Sequence, residues 1–232
     1  MNVTYQDIAA MIDHSLLKPT MTDAEIEDGC RIAVRYGVVS VCVRPSDVPL
    51  AGKILAGSAV KLTTVIGFPH GTTTTVAKLA EATEAMDNGC VELDVVLNIG
   101  KLKSKAFACV KADLKAIIDA AHARKVLVKV IFENCYLSEE EIIKACEICN
   151  ELGADWVKTS TGYGTGGAED KDLKLMRQHA LPGIQVKAAG GVRTLERAIE
   201  VRLLGCTRFG CTATVGILER LKVDQDAVPV TG

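Results

Sequence analysis

The chain alternates between two hydrophobic patterns. Short runs of apolar and β-branched residues, continuous on both faces, are followed by longer segments whose apolar residues recur every three or four positions. The short runs predict strands at Ile12–His14, Val38–Val43, Leu62–Phe68, Val91–Leu97, Leu127–Phe132, Trp156–Ser160, Gln185–Ala188 and Thr207–Gly210. The amphipathic segments predict helices near Asp23–Tyr36, Thr75–Asn88, Ser104–Arg124, Glu139–Leu152, Lys171–His179, Leu195–Leu204 and Ala213–Leu221. Thr22 with Glu25, and Ser138 with Glu141, have the spacing of capping boxes. Gly37, Gly89, Gly153 and Gly205 stand where a helix ends in a left-handed residue.

Strands that alternate with helices make parallel sheets. Strands apolar on both faces belong where helices cover one side and side chains fill the other. Eight such units close into a (β/α)8 barrel over residues 1–223, with 224–232 read as a flexible tail. An open doubly wound sheet is the alternative, but no G-x-G-x-x-G turn follows the first strand. A length of 232 residues fits one barrel, and 48% hydrophobic residues supply its core.

Polar residues inside these strands stand out. Groups that act on a substrate come from the C-terminal ends of several barrel strands and converge at one mouth. Charge falls within or just after strands at Asp13, Glu92, Asp94, Lys129, Glu133, Lys158 and Lys187. Strand alternation puts Glu92 with Asp94, and Lys129 with Glu133, on common faces. A buried ammonium group tends to give up its proton, and a second cation nearby strengthens that tendency. A neutral lysine amine attacks carbonyls. Lys158 and Lys187 therefore point to Schiff-base chemistry, with a carboxylate moving protons. The residue types alone do not say which lysine forms the bond. One buried lysine is often a structural ion pair; a whole set of buried charges marks a functional site.

Three late loops are rich in glycine: 161–167, 190–193 and 210–214. They follow strands six, seven and eight, where barrels bind phosphate at helix N-termini, and Arg193 adds charge. Ordinary βα turns use glycine too. The remaining candidates read as structural. His14 is expected to be buried and hydrogen-bonded, His70 to shape a loop, and His122 and His179 to lie at the surface. Cys42 reads as a core thiol close to the mouth. Thr72–Thr75 resembles a helix start with hydroxyl caps. No metal-ligand or nucleotide motif is present, so neither a metal nor a cofactor is expected.

Composition narrows the setting. Lys plus Arg total 27 and Asp plus Glu 29, and aromatics are 4%, which argues against nucleic-acid or membrane partners. The nine cysteines read mostly as small apolar residues of a reduced, cytoplasmic protein. Cys146 and Cys149 lie within a helical pattern rather than a redox turn. The N-terminus lacks the features of a signal peptide, and no apolar run reaches membrane-spanning length.

Six segments together carry a resemblance. They are Ile12-Asp13-His14-Ser15-Leu16-Leu17, Ser40-Val41-Cys42-Val43, Val65-Ile66-Gly67-Phe68-Pro69-His70-Gly71, Glu92-Leu93-Asp94-Val95-Val96, Lys158-Thr159-Ser160-Thr161-Gly162 and Val186-Lys187-Ala188-Ala189-Gly190-Gly191-Val192-Arg193. In this order, over nearly the whole chain, they resemble the deoxyribose-phosphate aldolase family. The resemblance implies a metal-free class I aldolase that joins acetaldehyde and glyceraldehyde 3-phosphate into 2-deoxyribose 5-phosphate, in deoxynucleoside breakdown. It implies that Lys158 forms the Schiff base, Lys187 tunes it, Asp94 relays protons, and Asp13 and Ser15 support them. It places Gly162, Gly190, Gly191, Val192, Arg193, Gly210 and Thr212 around the phosphate, and implies a homodimer or homotetramer. The chain departs from the family pattern at Cys211-Thr212-Ala213, where Gly-Thr-Ser-Ser is usual, and at Tyr163, where lysine is common. Its tail has no terminal tyrosine. These departures leave open an acceptor that is different or unphosphorylated.

Overall fold

The computed structural model describes residues 3–226. The apolar runs form β1 (Ile12–Leu16), β2 (Ser40–Val43), β3 (Lys61–Ile66), β4 (Glu92–Val96), β5 (Leu127–Ile131), β6 (Trp156–Lys158), β7 (Gln185–Ala189) and β8 (Arg208–Cys211). Neighbouring strands pair in parallel in chain order, and β8 returns to β1 through Asp13 opposite Gly210. The expected barrel is therefore closed. Around it lie α1 (Tyr5–Ala9), α2 (Asp23–Tyr36), α3 (Val48–Leu55), α4 (Thr75–Asp87), α5 (Ile99–Lys103), α6 (Phe107–Ala123), α7 (Glu139–Leu152), α8 (Asp170–His179), α9 (Leu195–Leu203) and α10 (Thr214–Asp226).

Local chemistry sets the helix ends. Thr22 and Ser138 accept from the backbone N–H three residues on, and Glu25 and Glu141 reach back, completing both capping boxes. Gly37 and Gly153 close α2 and α7 in the left-handed conformation. Thr74 caps α4 as the threonine run suggested. The main apolar core lies between the outer faces of the strands and the helices, with residues such as Ile26, Leu93, Ile117, Val128 and Phe209 fully buried.

Three helices escape the sequence pattern because they are short. α1 and α5 have five residues each, and α3 has eight, with Pro49 in its first turn and Gly52 inside it. The single helix expected from Ser104 starts only at Phe107, because Lys105 adopts a left-handed φ of 55° and ends α5. α10 runs to Asp226, three residues into the stretch read as tail; residues 227–232 lie outside the described part. All nine cysteines are free and seven are buried. No described helix is long and apolar enough to cross a membrane.

Candidate active site

The strand register brings like charges side by side. Lys158 on β6 pairs with Lys187 on β7, and Lys187 pairs with Arg208 on β8. Adjacent cations in a ladder destabilise a sheet unless something opposes them. Carboxylates do so, from Glu92 and Asp94 on β4 across the barrel and from Asp13 on β1 beside β8, all fully buried. Four basic groups (Lys129, Lys158, Lys187 and Arg208) thus face three acids inside the barrel.

They form two connected tiers. In the lower, Arg208 donates to both Glu92 oxygens, at 2.8 and 3.1 Å, and to Ser40 Oγ at 2.9 Å. The Trp156 ring covers the Arg208 guanidinium at 5.1 Å. Lys129 links the tiers, 2.6 Å from Glu92 and 2.8 Å from Asp94 Oδ1. In the upper tier Asp94 Oδ2 accepts from both Lys158 and Lys187, each at 2.7 Å. Lys187 also donates to Asp13. At the lower rim, half-exposed Lys61 approaches Glu92 at 3.4 Å.

The protonation states follow from this wiring. Burial opposes charge on Asp94, but Lys129, Lys158 and Lys187 outweigh it and hold the carboxyl well below its usual range. Glu92, similarly buried, is brought down to about 2 by Lys129 and Arg208. Burial works against charge on Lys187, yet Asp13 and Asp94 together raise its pKa. Lys129 is raised in the same way, by Asp94 and Glu92. Lys158 alone among the buried amines of the barrel is lowered: desolvation dominates, Asp94 resists, and the Lys187 charge adds to the depression. Four bases face three acids, and Lys158 is the amine whose charge this surrounding disfavours most.

Lys158 also stands at the floor of a cavity of about 330 Å3. Ser15, Gly162, Gly190, Gly191, Val192, Arg193, Gly210 and Thr212, all singled out in the sequence, line the same cavity. Asp94, Lys187, Asp13 and Cys42 lie beneath it, fully buried. Two of these loops meet backbone to backbone at Gly167 and Gly190, with no room for a side chain at either. Ala168 N–H donates to Gly190 O at 3.0 Å, and a Cβ on Gly190, whose φ is +83°, would lie 2.9 Å from Gly167 Cα. A Cβ on Gly210 would stand 3.5 Å from Ser15 Oγ and 3.7 Å from Lys187 Cε. A larger open cleft of about 690 Å3 runs along the outer side of these loops, but it does not reach Lys158.

The hydroxyls after Lys158 shape the loop. Thr159 Oγ1 ties β6 to β7 by donating to Ala189 O at 3.1 Å and accepting from Ala189 N–H at 3.0 Å. Thr161 donates its N–H and hydroxyl to Glu133. Glu133 was expected on the face of Lys129, but β5 ends at Ile131 and the backbone turns left-handed at Glu133, φ 56°, which aims the carboxylate at the next loop. Arg208 and the Glu133–Thr161 clamp were not assigned from the sequence, although Arg208 shows the same signal as the others, a charge in mid-strand.

The remaining expectations fall as follows. His14 is buried, with Nδ1 2.8 Å from Thr214 Oγ1, and burial lowers its pKa to about 4. It is a structural, neutral imidazole. His70 is exposed on its loop, and His122 lies at the surface, 2.9 Å from Asp155. Cys42 is buried, and burial, Asp94 and Asp13 push its thiol pKa upward. Asp13, Cys42 and Asp94 hold ligand atoms within 4.8 Å of one another. The Lys187 ammonium already contacts both carboxylates, so an amine occupies the place a metal ion would need.

Comparison with known proteins agrees with this geometry. Residues 8–210 match the model of the DeoC/LacD family aldolases. Deoxyribose-phosphate aldolase from Rhodopirellula baltica is 49% identical over 98% of this chain and 95% of its own. The Clostridium perfringens enzyme of the same name is 50% identical over 92% of this chain and 95% of its own. Among solved structures, the aldolase QR15 superposes with a TM-score of 0.91 at 38% identity, covering 96% of this chain and 99% of that one. The tetrameric deoxyribose phosphate aldolase from Aeropyrum pernix gives 0.88 at 31% identity, covering 94% and 92%. With a lysine-floored barrel and relatives of this closeness, the chain belongs to the DeoC/LacD family of aldolases.

Proposed function

We propose that this aldolase reversibly cleaves 2-deoxy-D-ribose 5-phosphate to acetaldehyde and D-glyceraldehyde 3-phosphate through a Schiff base on Lys158. One observation carries the assignment of the nucleophile. Of the four basic groups buried inside the barrel, only Lys158 has a lowered pKa, and only Lys158 borders the cavity.

In the cleavage direction, the neutral Lys158 amine adds to the aldehyde carbon of the open-chain sugar. The carbinolamine loses water to give the protonated imine. The hydroxyl on the carbon β to the imine gives up its proton, the bond between the α and β carbons cleaves, and the electron pair moves into the imine to form an enamine. Glyceraldehyde 3-phosphate leaves. The enamine is protonated on carbon, and water releases acetaldehyde and regenerates the amine. Asp94 touches the Lys158 nitrogen directly and serves proton transfer there. Lys187, held protonated by Asp13 and Asp94, keeps Lys158 neutral and stabilises negative charge developing on oxygen. The loop backbone at Gly162, Gly190, Gly191, Val192, Gly210 and Thr212, with Arg193, holds the phosphate end, while Ser15 supports the lysine site. Tethering both substrates in one cavity supplies the orientation that a bimolecular encounter lacks.

Ala213 offers no hydroxyl to a phosphate, which favours testing the same chemistry on an unphosphorylated acceptor. Turnover of deoxyribose 5-phosphate and free deoxyribose should be compared. The phosphate-site reading expects kcat/KM at least about 100-fold higher for the phosphate ester, as for buried charge-assisted contacts. Near-equal values would favour the unphosphorylated acceptor. The Aeropyrum pernix relative is tetrameric; this reading expects a cytoplasmic catabolic enzyme working as a homodimer or homotetramer, and light scattering would determine the mass.

A further inference from the structure

Tyr163 follows the lysine motif directly and is the wall between two cavities. Its hydroxyl donates to Leu17 O at 2.6 Å, and its ring meets Phe68 edge-on at 5.4 Å. One side chain thus joins the loops after β6, β1 and β3 across the mouth. The catch on the β1 side is itself fixed. Arg44 at the end of β2 donates to the carbonyls of Lys18, Pro19 and Met21 at 3.0–3.1 Å, and pairs with Asp47.

On one face of Tyr163 is the Lys158 cavity. On the other is a second cavity of about 370 Å3, which shares Leu17 and Pro19 with the first. The second cavity is apolar, lined by Val65, Phe68, Pro69 and Pro45 as well as the shared residues. Its two charged groups are already engaged. Arg44 serves the loop carbonyls, and Glu81 accepts from Gly67 N–H at 2.6 Å while burial raises its pKa. Nothing in it recognises phosphate. Val65 in its lining pairs in register with Asp94, whose carboxylate touches Lys158.

We propose that this annex is a subsite for the alkyl chain of an unphosphorylated aliphatic aldehyde acceptor, and that Tyr163 is the specificity-determining residue that closes it. The inference rests on the Lys158 Schiff-base reading. With acetaldehyde as donor, the enamine carbon bonds to the acceptor carbonyl carbon, whose oxygen takes a proton. Water then cleaves the imine and restores the amine. With hexanal as acceptor the product is 3-hydroxyoctanal, and every atom of the two aldehydes is retained. In the latched state the alkyl chain has only the Lys158 cavity, where it contacts the glycine loops. With the wall removed it extends into the annex and leaves water.

The test measures kcat/KM for hexanal and for glyceraldehyde 3-phosphate, with acetaldehyde as donor, in the parent, Tyr163→Phe and Tyr163→Ala. Borohydride trapping of acetaldehyde on the parent reports the lysine chemistry separately, so its failure is distinguishable from failure of the annex. The expected result is a hexanal-to-phosphate preference raised about 10-fold or more in Tyr163→Ala, the size of effect one or two methylenes produce. Tyr163→Phe, which keeps the ring and loses only the latch, should rise less and covers the case in which the alanine variant does not fold. A preference unchanged within about twofold in whichever variants fold would overturn the proposal.

Discussion

Lys158 and Lys187 donate to the same carboxylate oxygen, Asp94 Oδ2, each at 2.7 Å. The two nitrogens are thus within two hydrogen bonds of one another, on adjacent strands, with both side chains almost fully buried. Two ammonium ions there would repel strongly in the low dielectric. Asp13 resolves the asymmetry. It touches Lys187 and not Lys158, which favours the charge on Lys187 over Lys158. Lys187→Leu should therefore raise the Lys158 pKa and move the acidic limb of the rate profile to higher pH, because the neutral amine then appears later. Lys187→Arg keeps the charge and should move the limb less. An unmoved limb in an active Lys187→Leu enzyme would speak against electrostatic coupling.

Asp94 holds the tier together and touches the nucleophile. Asp94→Asn should lower kcat by about 10²–10⁴-fold, the range of a lost general acid–base group. Steady-state assays at several pH values would show whether the loss is in kcat, as a proton-transfer role requires.

The lower tier bears on stability. Glu92→Gln removes the partner of Arg208 and Lys129 and leaves buried positive charge uncompensated. At pH 7 this should destabilise the fold by about 3–5 kcal/mol. Chemical denaturation of the two proteins side by side gives the difference directly; a loss below about 1 kcal/mol would mean the tier adds little.

Acid sensitivity follows from two depressed pKa values. His14 is neutral in the fold down to about pH 4, whereas an unfolded histidine titrates near 6.5, so protons favour the unfolded chain between those values. Glu92 remains ionised in the fold to about pH 2, against about 4.3 unfolded, so its contribution is present above pH 4.3 and lost as pH falls toward 2. Stability should decline in two overlapping stages, the first missing in His14→Leu and the second in Glu92→Gln. A variant profile parallel to the parent in its own window would contradict the assignment.

The glycine loops should separate phosphate binding from lysine chemistry. Gly190→Ala places a methyl group against Gly167 in a backbone conformation that alanine resists. KM for deoxyribose 5-phosphate should rise about 10-fold or more, with acetaldehyde trapping on Lys158 retained. Equal loss of both would indicate that the loops hold the lysine rather than the substrate.

Much of this was legible in the residues, and the illegible parts have physical causes. Alternating patterns gave all eight strands because parallel barrel strands are apolar on both faces. Lys158, Lys187 and Asp94 stood out because charge is rare in strands buried on both faces. Helices α1, α3 and α5 were missed because one or two turns show no periodicity. Glu133 was misplaced because one left-handed residue past β5 cannot be read from alternation. The sharing of Asp94 Oδ2 and the engagement of Asp13 by Lys187 depend on strand tilt and reach across the barrel. Sequence spacing contains neither.

The central claim is that Lys158 is the neutral, bond-forming amine. Incubation with acetaldehyde and borohydride, followed by intact mass and peptide mapping, tests it most directly. The expected result is a single ethyl adduct on Lys158 that disappears in Lys158→Ala. An adduct on Lys187 instead, or none in the parent protein, would contradict the account.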